Sequence, residues 1–260
     1  MLAAGCIERN LDPFEDNAGF YSVYGALDAE SRNNYVRIRN THLPVLDDAH
    51  QQFDGTVEFE NLNNGSVQVL ENTTVDFSGY ITHNFLVDQE LIPKNSYRLT
   101  VNRPDGASVS STATIPGLTE LSVIPKENAS CSQQIEFRFK NVVYPERIIL
   151  EVGITRGGTV EWSGYAAGPK PVYRDGVDEM VLNVTPRNLL LLFYPPSGVS
   201  AACNRTDSIY IRYRHLGPEW QILNEWAQFP GDHSTWNDVA NGSGFLGAFR
   251  EDTLQITLRN

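Results

Sequence analysis

Apolar and polar residues alternate with a period of two along most of the chain, which predicts β-strands rather than helices. Turn residues separate these runs at short intervals, as in proteins built from many short strands. In the first half the clearest runs are residues 35–39, 56–60 and 96–102. In the second half, strands are predicted at 134–139, 148–154, 180–184, 208–213 and 253–258. This spacing favours a β-sandwich architecture.

The turn residues predict two hairpins in the first half. The strand at 56–60 leads through Asn-Asn-Gly at 63–65 into a return strand, and Asn-Gly is a dipeptide that tolerates positive φ. The strand at 96–102 is followed by Pro-Asp-Gly at 104–106, in which Pro fixes φ and Gly supplies the left-handed position. Its return strand extends to Ile115, just before Pro116 and Gly117.

Two segments depart from the alternation. Pro218 in a first-turn position, followed by Glu219 and by apolar residues on one face, predicts a helix over 217–229. The apolar run at 189–194, LLLLFY, has the length of a buried strand. It is much shorter than the roughly 18 apolar residues that span a bilayer, so membrane attachment would need a lipid or a partner.

Length and composition divide the chain into regions. Its 260 residues suffice for one large domain or for two of roughly 100–150 residues each. A strand ends and the charge balance changes at 116–125. We therefore expect a tether at 1–19, an N-terminal β-sandwich at 20–120 and a C-terminal β-sandwich at 121–260. The predicted fold class is all-β, with two immunoglobulin- or transthyretin-like sandwiches and one short helix near the C-terminus.

The net charge of –12 is concentrated in the first half of the chain. Residues 1–125 contain 17 acidic and 7 basic side chains, whereas residues 126–260 contain 15 and 13. Nucleic acids and anionic lipid surfaces are bound by clustered Lys and Arg, so this distribution argues against both partners.

No grouping of residues in the sequence points to catalysis. The five histidines are scattered singly, and neither a nucleophile elbow nor the C-x-x-C or H-x-x-x-H spacing of a metal site is present. We therefore expect no catalytic residues, no metal and no cofactor, and a protein that acts by binding rather than as an enzyme.

The three cysteines suggest two different roles. Cys6 follows Leu-Ala-Ala-Gly at 2–5, which reads as the end of a lipoprotein signal peptide, although no basic and apolar regions precede it. If Cys6 carries a lipid, Cys131 and Cys203 remain as a pair that can form a disulfide in an oxidising compartment. The alternative is that both are buried thiols.

Aromatic residues supply the candidate contact positions. Trp220 and Trp226 have helical spacing and are expected in the core. Trp236 lies in a polar stretch and is a better candidate for contact with a ligand or partner, together with Trp162 and Tyr165.

Four stretches together resemble a known family. They are LAAGC at 2–6, YSVYGAL at 21–27, the hairpin from 95 to 116 with its Tyr-x-Leu, Pro-Asp-Gly and Ile-Pro elements, and the segment 237–249 with its Asn-Gly-x-Gly-x-x-Gly-Ala pattern. The chain resembles a family of Bacteroidota-type outer-membrane lipoproteins of unknown function, whose genes commonly lie beside those of TonB-dependent receptors. It departs from the family pattern at Ser243 and Phe245.

The resemblance implies a location and a partner. Cys6 would be the lipidated residue, and the protein would be anchored to the outer membrane, with surface exposure as one option. Its function would be that of a non-catalytic accessory subunit of a TonB-dependent receptor or transporter. The alternative is a free-standing surface adhesin or glycan-binding lipoprotein, with Trp236 and Tyr165 as stacking platforms. A third reading is a structural envelope component without a ligand.

Overall fold

The structure is a computed structural model that describes residues 20–43, 53–77, 80–142, 147–164, 172–173, 179–220 and 238–259. Within these ranges the protein is nearly all β, as predicted, with sixteen strands and two short helices. The strands are β1 (Tyr21–Asp28), β2 (Asn34–Asn40), β3 (Thr56–Asn61), β4 (Val67–Val69), β5 (Asn72–Phe77), β6 (Tyr80–Val87), β7 (Ser96–Asn102), β8 (Ser108–Thr114), β9 (Glu120–Ile124), β10 (Ile135–Lys140), β11 (Arg147–Arg156), β12 (Thr159–Gly164), β13 (Val172–Tyr173), β14 (Glu179–Val184), β15 (Ser208–Leu216) and β16 (Ser243–Thr257). The helices are α1 (Pro186–Leu190) and α2 (Val199–Cys203).

The strands form three sheets. The largest has eight strands in the order β12-β11-β15-β16-β1-β2-β6-β5. Two smaller sheets have four strands each, in the orders β4-β3-β7-β8 and β13-β14-β10-β9. Because strands from both halves of the chain share the eight-stranded sheet, the two halves are joined by hydrogen bonds as well as by the covalent chain.

The 15-residue strand β16 makes this connection. Its first part, from Ser243 to Phe249, pairs in parallel with β1, and its second part, from Phe249 to Thr257, pairs antiparallel with β15. The alternation of side chains along a strand places Leu246 and Ile256 on the same face, and both are fully buried. One strand therefore contributes to two hydrophobic cores.

Each small sheet covers one of these cores. The first core contains Val23, Val36, Phe59 and Leu99, together with Leu246 from the start of β16. The second contains Phe137, Val152, Leu182 and Ile211, together with Ile256 from the end of β16. These residues occupy alternate positions of their strands, which is the pattern from which the strands were predicted.

The two cores take most of their residues from different parts of the chain. The first core extends to Ile115 and the second begins at Ala129, so the predicted break near residue 120 lies between them. However, Val239, Leu246 and Ala248 pack in the first core, although the prediction assigned them to the domain 121–260. The first part of β16 pairs in parallel with β1, and this pairing places these C-terminal residues in the core of the N-terminal sandwich.

Gly244 makes the close approach of β16 to β1 possible. Its φ of +118° is a backbone conformation that residues other than glycine rarely adopt, and a Cβ there would collide with the carbonyl oxygen of Val23. Gly244 is the second glycine of the family-like segment 237–249, and the backbone geometry explains why glycine is needed at this position.

The two predicted hairpins are confirmed. β3 pairs with β4 in a register that sets Glu58 opposite Val69. β7 pairs with β8 over their whole lengths, with Ser96 opposite Thr114.

The run at 189–194, which has the length of a buried strand, instead begins in the last two residues of α1 and continues as turns. Thr185 caps the helix: its side chain accepts a hydrogen bond from the backbone N–H of Asn188 at 3.3 Å, and Pro186 occupies the first turn. Pro at that position and a Thr cap both favour helix initiation, and leucine is itself a good helix former. Of the helix predicted at 217–229, the structure shows a 3₁₀ turn at Pro218–Trp220, and 221–229 lie outside the described residues.

A disulfide joins Cys131 to Cys203, with their Cα atoms 5.8 Å apart. It connects the last residue of α2 to the segment that precedes β10, across a sequence separation of 72 residues. Both cysteines pack against the second core, so the bond fixes the two short helices to the C-terminal sandwich.

Candidate ligand-binding surface

The face of the eight-stranded sheet turned away from both cores, here called the outer face, exposes large aromatic side chains. Tyr24 on β1 is 54% exposed and Tyr35 on β2 is 49% exposed, whereas their neighbours Val23 and Val36 are fully buried. Strand alternation therefore points these two tyrosines away from the first core. Phe245 on β16 lies directly opposite Tyr24 in the parallel register, so three aromatic residues occupy adjacent strands.

These residues surround a cleft, here called the aromatic cleft. It is lined by Tyr24, Gly25, Ala26, Tyr35, Arg37, Val75, Asn84 and Phe245. Its volume of about 600 Å³ falls within the range of about 300–1,000 Å³ that is usual for small-ligand sites. All lining residues belong to strands, so hydrogen-bonded backbone holds them in place.

The cleft exists because small and large residues alternate on the outer face. Ala26 follows Tyr24 by two positions and therefore points to the same side. In the register of β1 and β16 it pairs with Gly247, so two small residues lie next to each other between the aromatic side chains. A longer side chain at Ala26, which lines the cleft, would fill the depression.

Trp220 fixes the position of Phe245. The two rings meet edge to face with centroids 4.9 Å apart. The indole N–H of Trp220 donates to the carbonyl oxygen of Ala248 at 2.8 Å. A Cβ on Gly247 would lie 2.7 Å from the same indole nitrogen, so glycine at this position lets Trp220 pack against the strand. Trp220 thereby limits the rotamers that Phe245 can adopt.

The polar side of the cleft is formed by Arg37 and Asn84. The two residues lie opposite each other on β2 and β6, and Arg37 also lies opposite Tyr24 on β1. Asn84 is 6% exposed, and its amide nitrogen donates to the carbonyl and hydroxyl oxygens of Thr82 at 3.0 and 2.9 Å. Arg37 is exposed at the rim.

Two largely buried carboxyl groups, those of Glu219 and Asp238, accept hydrogen bonds from the backbone of β8 and β16. Glu219 accepts the backbone N–H of Thr114 at 2.7 Å, and both oxygens of Asp238 lie 3.3 Å from the backbone nitrogen of Leu246. Burial raises the pKa of Glu219 to about 7 and that of Asp238 to about 6. The second carboxyl oxygen of Glu219 is buried without a hydrogen-bond partner, which fits a group that is more stable in its neutral form.

The outer face of the C-terminal half carries a different arrangement, here called the ion quartet: Arg212, Arg214, Glu151 and Glu251. Arg212 pairs with Glu151 at 3.0 Å, and Arg214 pairs with Glu251 at 2.5 Å. The two diagonal pairs are 3.4 and 3.7 Å long. Each charge in the quartet therefore has two partners of opposite sign.

Of the predicted contact residues, the structure describes Trp162. It lies on β12 opposite Gly153, and the guanidinium carbon of Arg212 lies 4.0 Å from its ring centroid. One face of this ring is therefore occupied by a cation, and Trp162 belongs to the ion quartet's surroundings rather than to the aromatic cleft. Tyr165, Trp236 and Cys6 lie outside the described residues.

Sequence reasoning missed the residues that form the cleft. Tyr35 lies within a predicted strand and Tyr24 within the family-like stretch 21–27, each in the phase opposite to its neighbour Val36 or Val23. A large aromatic in the outward phase of an alternating strand is a usable signal for an exposed platform. The contribution of Phe245 could not be found in this way, because it depends on the parallel pairing of two segments more than 200 residues apart.

The described residues contain no group of three or more His, Cys, Asp or Glu side chains arranged to hold a metal ion. No helix in the described ranges combines the length and the apolar character needed to cross a membrane.

Comparison with known proteins gives only distant likenesses. No family model matches the chain, and no curated protein is similar to it. A pullulanase from Anoxybacillus sp. LM18-11 aligns with 75% of this chain at 10% identity and a TM-score of 0.24, and the same enzyme complexed with maltotriose aligns with 75% at 11% and 0.25. A tetra-tandem repeat in the extending region of a large adhesion protein aligns with 92% at 9% identity and a TM-score of 0.24. The chain spans 24% of the pullulanase chains and 49% of the adhesion protein chain, and TM-scores of this size carry no functional argument.

Proposed function

We propose that this protein is a non-catalytic carbohydrate-binding protein whose ligand occupies the aromatic cleft. The observation that carries the proposal is the placement of Tyr24, Tyr35 and Phe245 around a depression of about 600 Å³. Contiguous exposed apolar surface marks interaction sites, and aromatic groups beside a concave surface are typical of ligand-binding sites.

The chemistry of the lining residues suits a sugar. A pyranose ring has one face of C–H groups, which packs against the electron-rich face of an aromatic ring. Its hydroxyl groups require hydrogen-bond partners around the rim, and the tyrosine hydroxyls and Arg37 supply them. Because the lining residues lie on paired strands, little conformational entropy is lost when a ligand binds.

The same lining supports binding rather than hydrolysis. Glycoside hydrolysis generally uses a pair of carboxyl groups on either side of the scissile bond. Among the described residues that line the cleft there is no Asp or Glu. Glu219 accepts the backbone N–H of Thr114 on β8, and Asp238 accepts that of Leu246 on β16, which is a structural use of a carboxyl group.

A glycan array followed by calorimetry tests the proposal. We expect the wild-type protein to bind a defined subset of oligosaccharides, and Tyr24→Ala to weaken binding at least tenfold because it removes one stacking surface. Ile149→Ala is the matched control, since Ile149 is an exposed apolar residue on the outer face of the other half. Absence of binding to any glycan, or equal loss in both variants, would contradict the proposal.

We also propose that Cys6 is lipidated and that the protein acts beside a TonB-dependent receptor at the outer membrane. The sequence Leu-Ala-Ala-Gly-Cys at 2–6 and the family resemblance support this proposal. Several acyl chains on one cysteine would give a firm anchor. In this setting the cleft would hold a glycan close to the receptor.

The anchoring proposal has its own measurement. Gently solubilised outer membranes would be used for a pull-down, and the N-terminal peptide would be analysed by mass spectrometry. We expect an acylated Cys6 and a stoichiometric β-barrel partner in the eluate. A soluble protein with an unmodified Cys6 would contradict the anchor without bearing on sugar binding.

A further inference from the structure

We infer that the ligand of the aromatic cleft is a linear oligosaccharide of about four sugar units, which lies across the strands of the eight-stranded sheet. The inference rests on the proposed carbohydrate binding and adds the shape and the length of the ligand. Three observations carry it: the strands that supply the lining, the spacing of the exposed tyrosines and the width of the cleft.

The lining of the cleft comes from five adjacent strands of the sheet. Phe245 on β16 lies opposite Tyr24 on β1. Arg37 on β2 lies opposite Tyr24, and Asn84 on β6 lies opposite Arg37. Val75 belongs to the next strand, β5, which is the last described strand on that side of the sheet. Neighbouring strands are about 4.8 Å apart, so the lining extends about 19 Å across the strands.

A lining of this length exceeds the size of a single sugar. A pyranose unit, built from single bonds of about 1.5 Å, measures roughly 5 Å between its two linkage oxygens. An extended chain of about four units therefore matches the length of the lining. A monosaccharide would contact only part of it.

The two exposed tyrosines are spaced for different units of such a chain. Tyr35 is two residues from Arg37 on β2, which makes it a diagonal neighbour of Tyr24 across this antiparallel pair. Diagonal neighbours are about 7–8 Å apart, which is more than the length of one sugar unit. A sugar ring that packs against Tyr24 therefore leaves Tyr35 to the next unit of the chain.

The cleft is also narrow for its length. Divided over about 19 Å, its volume of about 600 Å³ gives a mean cross-section of about 30 Å². A section of this size accommodates one extended chain and excludes a branch on every unit. Because β5 is at an edge of the described sheet, a longer chain can continue past the cleft on that side.

Calorimetry with oligosaccharides of graded length tests the inference. The probes are linear cello-, malto-, xylo- and manno-oligosaccharides of one to eight units, together with any linear series that the glycan array adds. In the series that binds, we expect the affinity to rise at least tenfold from two units to four and to change less than twofold from four units to eight. A branched tetrasaccharide of the same sugar should bind at least fivefold more weakly than the linear one.

A pair of matched variants examines the far end of the cleft. Val75→Glu places a longer, charged side chain at the β5 end, so it should weaken binding of the four-unit chain at least fivefold and reduce the gain from two units to four. Val160→Glu is the control, because Val160 is 37% exposed on β12, the strand at the opposite edge of the same sheet. This control should bind the four-unit chain as the wild type does.

The possible failures are distinguishable. Equal affinity for one unit and for four, or tighter binding of the branched tetrasaccharide, would overturn the inference and leave the proposed function intact. Equal losses in Val75→Glu and Val160→Glu would also overturn it. If Val75→Glu does not fold, the length series on the wild-type protein decides by itself. If neither these series nor the glycan array gives binding, the proposed function itself fails.

Discussion

The two halves of the outer face belong to one sheet and share β16, yet they present opposite chemistry. In the N-terminal half, large aromatic residues alternate with Ala26 and Gly247, and a cleft remains between them. In the C-terminal half, Arg212 and Arg214 interleave with Glu151 and Glu251. Long side chains of opposite charge extend toward each other and cover the sheet, whereas rigid rings beside small residues cannot.

The comparison separates what the fold requires from what a ligand requires. The inward positions of both halves are filled by the same kinds of residue, Val, Ile, Leu and Phe, because both must bury a core. The outward positions are free of that requirement, so a difference between them needs another explanation. The ion quartet satisfies its own charges, while the aromatic cleft leaves apolar surface in contact with water.

The largest predicted effect is a loss of stability that is confined to the N-terminal half. Gly244→Ala should lower the free energy of unfolding of the N-terminal sandwich by more than about 4 kcal/mol, because it combines backbone strain with a collision against the carbonyl oxygen of Val23. Hydrogen exchange should show β1 and β2 losing protection while β11 and β15 keep theirs.

The matched control for that variant is Gly65→Ala. Gly65 also has positive φ, at +73°, but a Cβ there would have no atom within 4 Å. Its cost should be about 1 kcal/mol, from conformation alone. Equal effects of the two variants would show that the approach of β16 to β1 is not what fixes the N-terminal half.

A smaller effect, on the order of 3 kcal/mol, is predicted for the contribution of Glu219 to the pH dependence of the N-terminal half. The folded pKa of Glu219 is about 7, above the ordinary value of 4.5, because burial disfavours the charged form. The folded state therefore binds the proton more tightly than the unfolded state. The contribution of this group to stability is greatest below pH 4.5, falls as the pH rises from about 4.5 to about 7, and is constant above that.

Glu219→Gln should remove the part of this dependence that comes from Glu219, while the part from Asp238, whose pKa burial raises to about 6, remains. Its melting temperature should exceed that of the wild type at pH 8, where Glu219 is charged, and the difference should shrink at pH 4.5. The neutral amide can still accept the N–H of Thr114 and no longer buries a charge. A constant difference between the two proteins across this pH range would be inconsistent with a titrating Glu219.

The smallest effect concerns the C-terminal half. Glu251→Gln should cost about 0.5–1 kcal/mol, because the quartet is partly exposed and solvent screens its attraction. The loss should diminish at high salt, and affinity for any ligand of the aromatic cleft should not change. A large change in that affinity would mean that the two halves of the outer face act together.

The sequence predicted the local features well. Alternation identified β2, β3, β7, β10, β11, β14 and β15, and the turn chemistry at 63–65 and 104–106 identified both hairpins, because these features depend on neighbouring residues. The run at 189–194 has the length of a buried strand, although Thr185 and Pro186 give a helix-start signal just before it.

The features that depend on distant pairing could not be predicted in this way. Nothing local in 237–249 indicates that β16 lies parallel to β1, and this pairing brings Phe245 to Tyr24. Trp162 was a reasonable candidate as an isolated aromatic, but the cross-strand position of Arg212 covers one face of its ring. Of the candidate site, the two outward tyrosines could therefore be predicted from the sequence, whereas the position of Phe245 depends on tertiary structure.

The parallel pairing of β1 and β16 also has a mechanical consequence. A force that pulls the start of β1 and the end of β16 apart acts along both strands, in opposite directions. The hydrogen bonds along the seven residue pairs, from Ser22–Ser243 to Asp28–Phe249, are then loaded together in shear. In a hairpin pulled from its open end, by contrast, the hydrogen bonds break one at a time. Because β16 continues into the C-terminal sandwich, tension entering at that end reaches β1 along a single strand, and the aromatic cleft lies beside the bonds that resist it.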